Sequence, residues 1–272
     1  MGAAETVFGA LEVLAHSPGG RAAHPVPLLF IHGAYTAAWC WEEHFLPWFA
    51  EQGYAAYAVS LSGHGGSRRH SLLDNFSLAD YVRDVEAVAA ALPAPPALIG
   101  HSMGGMVVQK FLERQSAPAA VLMASVPPQG LWSSAVGLMF SRPSLFQDLN
   151  TLMGGGHPPL ESLRDALFHQ PVAEDRLREY YRRCQAESHR AMWDMTLFNL
   201  PHVSSMNRPP MLVLGAAHDK LIPPSLVDMT ARAYGLEAEI FPDLGHGMML
   251  EQDWQAVAER IATWLKEQLG TP

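Results

Sequence analysis

Short continuous apolar runs alternate along the chain with segments whose apolar residues recur every three or four positions. Runs at 27–31, 55–60, 97–100, 119–123, 211–214 and 238–241, mostly continuous, read as strands buried on both faces, because a strand with one solvated face would alternate apolar and polar residues. Leu78, Tyr81, Val82, Val85 and Val88 instead mark one face of a helix, and Ser77 with Asp80 has the spacing of a capping box at its start. Trp254, Val257, Ala258, Ile261, Trp264 and Leu265 repeat that period near the end of the chain, which predicts a helix docked on a sheet. Strands alternating with helices predict a parallel sheet covered on both faces, an α/β architecture.

The alternation stops between about 127 and 210. No strand pattern occurs there, and helix-like segments such as 175–190, read as a charged and solvated helix, dominate. This predicts a core of residues 1–126 and 209–272 interrupted by a helical cap at 127–208. The insertion carries Trp132, Met139, Phe140, Phe146, Met153, Met192, Trp193, Met195 and Phe198, more large apolar side chains than a connecting loop needs. They either fill the cap's own core or line a pocket; Trp132, Met139, Phe140, Trp193 and Phe198, together with Tyr35, are the pocket candidates. The 27 uncharged residues between Arg114 and Arg142 have the length of a membrane span. Pro127, Pro128, Gln129 and Gly130 in their middle fit a strand, a turn and a helix start instead.

Composition narrows the function classes. Apolar residues are 49% of the 272 and charged residues 17%, enough apolar material for a large core and far from a disordered composition. The formal net charge of −9, with no Lys/Arg cluster to offset it, argues against nucleic acid as a partner. Cys40 and Cys184 are far apart in sequence and form no Cys-x-x-Cys pair, which fits a reducing cytoplasm better than a disulfide framework. The first fifteen residues lack a basic start and carry Glu5 and Glu12, so no export signal is expected.

Gly100-His101-Ser102-Met103-Gly104 follows a predicted strand and precedes an apolar, helix-forming run. This is G-x-S-x-G in the strand–turn–helix setting of a nucleophile elbow, where a strained turn lifts a serine above the sheet. Glycine two residues before and after the serine keeps side chains out of the turn, and the helix opening at Met103 aims its first amides at the place where an oxyanion forms. On these residues the chain resembles the α/β-hydrolase superfamily, and the resemblance extends over nearly all of it outside the cap. It implies a mostly parallel eight-stranded sheet flanked by helices, and a triad in the chain order serine, acid, histidine.

By that resemblance Asp219, after the run Leu212-Val213-Leu214-Gly215-Ala216-Ala217-His218, is the acid, and His246, in Asp243-Leu244-Gly245-His246-Gly247, is the base. A serine hydroxyl is a weak nucleophile until a neutral imidazole takes its proton, and the imidazole needs a carboxylate to fix its tautomer. Asp243 is too close to His246 in sequence to reach the far side of its ring, and His218 points away from its neighbour Asp219. His101 is expected to pack beneath the nucleophile. His32-Gly33-Ala34-Tyr35 matches the superfamily's His-Gly loop, which implies that the Ala34 and Met103 backbone N–H groups form the oxyanion hole and that His32 holds the loop. Ala37-Ala38-Trp39-Cys40-Trp41 further resembles a segment of plant methylesterases and hydroxynitrile lyases. One position departs from relatives: Ser60, in Ser60-Leu61-Ser62-Gly63-His64-Gly65-Gly66-Ser67, stands where an aspartate is common.

The expected activity is hydrolysis of carboxylic esters of small to medium apolar substrates through an acyl-enzyme. The same triad also supports cofactor-free haloperoxidase or perhydrolase chemistry, carbon–carbon bond hydrolysis and cyanohydrin cleavage, and a slow-turnover ligand-binding receptor is the alternative of another class. No cofactor is required. Thirteen histidines occur without H-E-x-x-H or a clustered His/Asp pattern, and no G-x-G-x-x-G follows the first run, so neither a metal nor a dinucleotide is expected.

Overall fold

The computed structural model describes residues 4–8, 10–19, 24–67, 73–132, 139, 143–153, 156 and 159–271. Among them, eight strands form one sheet in the order β1-β2-β4-β3-β5-β6-β7-β8. These are β1 (Ala4–Phe8), β2 (Leu11–His16), β3 (Leu28–Ile31), β4 (Ala56–Val59), β5 (Ala97–His101), β6 (Ala120–Met123), β7 (Met211–Ala216) and β8 (Ala238–Phe241). β1 and β2 form an antiparallel hairpin, β2 pairs antiparallel with β4, and every pairing from β4 to β8 is parallel. The six apolar runs are all strands of the parallel part. The hairpin was not legible as strands, because β2 interleaves buried Leu11 and Val13 with Glu12, a half-buried pattern rather than a continuous run.

Period-two geometry sends alternate side chains of the central strands into two cores. Leu28, Phe30, Ile99, Val121 and Leu214 point to one face, where α1 (Trp39–Glu42), α2 (Phe45–Glu51) and the C-terminal helix cover them. Leu29, Ile31, Leu98, Leu122 and Val213 point to the other, under α3 (Leu78–Ala91) and α4 (Met103–Leu112). Ser77 caps α3 as expected: its Oγ accepts from the Asp80 N–H while the Asp80 carboxylate accepts from the Ser77 N–H at 2.8 Å.

Between β6 and β7 the described residues form α5 (Pro143–Met153), α6 (Leu160–Leu167), α7 (Glu174–Arg183), α8 (His189–Trp193) and a π-helical turn, Asp194–Phe198. After β7 come α9 (Pro224–Ala233) and, after β8, α10 (Trp254–Leu269). One expectation is corrected here. Residues 175–190 are not a single solvated helix: α7 ends at Arg183, Cys184 is extended (ψ 148°), and the next residues turn inward, so that Glu187 and Ser188 are buried. Leu177 and Tyr180 of α7 are buried as well. No helix among the described residues is long and apolar enough to cross a membrane.

Candidate active site

Parallel pairing places the carboxyl ends of β3, β5, β7 and β8 along one edge of the sheet, where ligands of open α/β sheets are bound. Register aligns Ile31 with Gly100, His101 with Met123, and Met123 with Leu214. The loops that leave these strand ends carry Gly33 and Ala34, Ser102, Asp219 and His246. Residues separated by more than a hundred positions in sequence therefore meet at one edge.

Ser102 lies between β5 and α4 with φ 54° and ψ −117°, a conformation that costs a non-glycine residue on the order of 1–3 kcal/mol. The surrounding backbone holds it, with the Ser102 N–H donating to Met123 O at 3.0 Å and the Val126 N–H donating to Ser102 O at 3.1 Å. The two glycines are sterically obligatory. A Cβ on Gly100 would lie 2.6 Å from Gly104 C, and one on Gly104 would lie 2.6 Å from His32 O. Although Ser102 precedes a helix, its side chain makes no capping bond. The helical ladder leaves its first N–H groups without acceptors, and Met103 is the first residue of α4.

Asp219 and His246 are both buried and in direct contact, with His246 Nδ1 2.7 Å from Asp219 Oδ2. Asp219 Oδ1 accepts from the Leu221 and Ile222 N–H groups at 2.8 Å each, so this carboxylate is held at both oxygens. Acceptance by Oδ2 fixes the proton on Nδ1 and leaves the lone pair on Nε2. The histidine loop is tied to the elbow through His101, whose Nε2–H donates to His246 O at 2.8 Å, the two rings being 4.6 Å apart. Burial first, and then His246, push His101 well below the ordinary histidine value, which leaves it a neutral donor. On the other side of the elbow, a Cβ on Gly33 would stand only 3.1 Å from Ser102 Cβ. Ser102, His246 with Asp219, and the loop carrying Ala34 are thus brought together. Asp243 is exposed, and His218 is exposed with its ring stacked 3.5 Å from that of His169.

The loop carrying Ala34 is held by His32. Its Nε2 accepts from the Leu61 N–H at 3.1 Å, so Nδ1 carries the proton and donates to Gly33 O at 2.8 Å. Burial, followed by the neighbouring His64, lowers His32 to about 3. Where the resemblance led an aspartate to be expected at position 60, a carboxylate of β2 stands beside the serine: Ser60 Oγ donates to Glu12 Oε2 and accepts from the Ala38 N–H at 3.0 Å. Among the described residues, no group of three His, Cys, Asp or Glu is placed to hold a metal ion.

Of the pocket candidates, Tyr35 is half-buried beside Ala34, whereas Trp132, Met139, Trp193 and Phe198 are exposed, Phe198 by 73%. Met195, between Trp193 and Phe198, is by contrast buried. Phe140 lies outside the described residues, as do the side chains of Phe146 and Met153.

Sequence reasoning missed two buried acids. Glu251 accepts from the Gly245, His169 and Gln170 N–H groups at 2.8, 2.7 and 3.1 Å, joining the histidine loop to the insertion. Glu187 lies fully buried against His64 Nε2 at 3.0 Å and accepts from Tyr81 OH and the Ser188 N–H, each at 2.7 Å. Burial, the largest single influence, opposes both charges of the Glu187–His64 pair, yet the partner's charge together with the surrounding hydrogen bonds outweighs it, so Glu187 is lowered and His64 raised. No periodicity marks either acid, since each is called inward by a loop.

The sign of the pH effect follows from these directions. Glu187's contribution to stability is present above its ordinary value of 4.5 and disappears as pH falls through its lowered one. His64's contribution is present below 6.5 and disappears as pH rises through its raised value. Thermal unfolding of wild type is therefore expected to be hardest between those two ordinary values as far as this pair is concerned. Glu187→Gln is expected to remove the decline on the alkaline side, since the raised His64 value depends on Glu187, and identical profiles for the two proteins would refute the assignment.

The model of the alpha/beta hydrolase family matches residues 28–260. The chain belongs to that family. A curated relative from rice (Oryza sativa), described as a probable esterase, is 31% identical over 134 residues, which are 46% of this chain and half the length of that relative. A monoacylglycerol lipase of Mycolicibacterium smegmatis is 24% identical over 83% of each chain. Among solved structures, an esterase from Exiguobacterium antarcticum superposes with a TM-score of 0.71 at 18% identity, over 98% of this chain and all of that one. This family member thus shares the α/β-hydrolase fold over nearly its whole length.

Proposed function

We propose that this protein is a serine hydrolase of carboxylic esters with small to medium apolar substituents, working through an acyl-enzyme. The observation that carries the reading is the 2.7 Å contact of His246 Nδ1 with Asp219 Oδ2 in a loop bonded to the elbow of Ser102. With the Nδ1 proton held by Asp219, His246 Nε2 accepts the proton of Ser102 Oγ as that oxygen attacks the ester carbonyl carbon. The carbonyl oxygen becomes an oxyanion, held by the Ala34 and Met103 N–H groups, each such donor being worth about 3 kcal/mol. As the tetrahedral intermediate collapses, His246 returns the proton to the departing alkoxide, and the acyl group stays on Ser102. Water then attacks with His246 as base, and the carboxylic acid leaves.

Residues 127–208 act as the cap over this site in this reading. The exposed Trp132, Met139, Trp193 and Phe198 offer apolar surface to the acyl or alcohol group. The formal charge of −9 fits a small-molecule substrate rather than nucleic acid, and the two free cysteines, Cys40 and Cys184, fit a reducing cytoplasm. The names of the rice and mycobacterial relatives support an ester substrate.

The test is release of p-nitrophenol from short-chain p-nitrophenyl esters. A burst followed by steady turnover is expected, with the rate across an ester series rising with acyl length until the pocket is filled. A single stoichiometric release with no turnover would replace the enzyme by a ligand-binding receptor.

A further inference from the structure

Among the described residues, the segment between β6 and β7 is hydrogen-bonded to the loop of Ala34 through Gln185. After α7, Gln185 donates its main-chain N–H to Tyr35 O at 2.9 Å, directly behind Ala34. Tyr35 is held at φ 65°, in the left-handed region that a bulky side chain keeps only when its surroundings impose it. The Gln185 side chain meanwhile grips the turn after β4, its Oε1 accepting from the Gly65 N–H at 3.0 Å and its Nε2 donating to Gly63 O at 2.9 Å. That turn is the floor of the loop: Leu61, at its start, donates to His32 Nε2, and the His64 ring lies 5.0 Å from the His32 ring. Two residues beyond Gln185, the buried Glu187–His64 pair fastens the segment to the same turn. Gly33 O, on the near side of Ala34, receives both His32 Nδ1–H and Thr36 Oγ1–H, at 2.8 and 3.0 Å. The Ala34 N–H shares its peptide with the Gly33 carbonyl, which the core fixes, and the Tyr35 carbonyl, two peptides further on, is fixed by Gln185, so the loop is held on both sides of Ala34.

We propose that Gln185 is a positioning residue of the oxyanion hole, a clasp from the insertion that sets the Tyr35 carbonyl and thereby the direction of the Ala34 N–H. The inference rests on the serine-hydrolase reading. An amide aimed at the oxyanion stabilises the transition state and contributes little to binding the planar ester. A misaimed amide therefore lowers kcat and leaves KM in place. Gln185 is half-buried and belongs to neither hydrophobic core cluster, so its side chain is removable without emptying the core.

The experiment compares wild type, Gln185→Ala and Gln185→Glu, with concentrations of competent sites set by burst titration. Gln185→Ala removes both side-chain bonds, and Gln185→Glu keeps the shape while turning a carboxylate oxygen toward Gly63 O. Both variants are expected to lower kcat per titrated site on p-nitrophenyl butyrate by about 10- to 100-fold. KM is expected to stay within about twofold, and the midpoint of the pH profile of kcat/KM is expected not to move. A trifluoromethyl ketone, which adds Ser102 Oγ to give a hemiketal oxyanion, should lose affinity by the same factor as kcat. Two results overturn the clasp: kcat per site and ketone affinity equal to wild type, or a loss of titratable sites and melting temperature with per-site constants unchanged, which is a structural role alone. Absence of steady ester turnover in wild type itself would instead remove the hydrolase reading, and the clasp with it.

Discussion

Ser102→Ala is expected to lower steady ester turnover about a million-fold while leaving thermal stability close to that of wild type. Loss of Oγ removes the nucleophile outright, and what remains is the rate supplied by binding and the oxyanion donors. The stability side of the prediction follows from the local geometry. A serine before a helix normally accepts from the second or third helical amide, and its replacement by alanine costs about 1 kcal/mol. Here φ 54° and ψ −117° turn the hydroxyl away from α4, and no capping bond is made. Alanine at this position inherits the backbone strain and loses no partner within the helix. Labelling with a fluorophosphonate probe, followed by peptide mapping, checks the assignment, with Ser102 as the single modified residue. Retention of more than a trace of turnover in Ser102→Ala would place the nucleophile elsewhere.

The central parallel strands were legible because β3, β5 and β6 are buried at every residue, and burial on both faces leaves an unbroken apolar run in the sequence. The elbow was legible for a related reason. Gly100 and Gly104 are required by backbone atoms lying under 3 Å from where a Cβ would sit, and a steric requirement that strict survives as a motif. Asp219 and His246 were located by chain order in a resemblance, since a loop aspartate and a loop histidine have no periodicity of their own.

What escaped has a common physical origin. The hairpin of β1 and β2 lies at the sheet edge, where only alternate residues need be apolar. The break after Arg183 came from Gln185, Glu187 and Ser188, polar residues whose partners include groups far away in sequence: Tyr35, Gly63, His64, Gly65, Tyr81 and Phe76. In isolation the run from Glu174 to Arg190 has the charge pattern of a solvated helix. Hydrogen bonds and an ion pair formed on folding outweigh that local preference, because a buried carboxylate with three partners is stable and one without partners is not. The same reasoning explains Ser60. Its departure from relatives looked like a lost carboxylate, and the tertiary structure supplies one from Glu12 on a strand that the apolar pattern had not revealed.

Asp219→Asn is expected to reduce turnover roughly ten-thousand-fold, and the hydrogen bonds around the carboxylate dictate why an isosteric change is so costly. Two backbone donors, Leu221 N–H and Ile222 N–H, converge on Oδ1 at 2.8 Å. In the asparagine variant only the amide oxygen can accept from them, so the amide nitrogen is forced to the Oδ2 position, 2.7 Å from His246 Nδ1. The opposite orientation would set an NH2 group against two N–H donors in a buried place, which is worse. Facing a donor, Nδ1 becomes the acceptor and the imidazole proton moves to Nε2, where it blocks acceptance of the serine proton. The loss therefore falls on kcat, with KM and the melting temperature changing little, and steady-state kinetics with thermal unfolding on the same preparation check both halves. Near-normal turnover in Asp219→Asn would move the acid elsewhere. Asp243 would be tested next, although it is exposed and separated from His246 by only two residues.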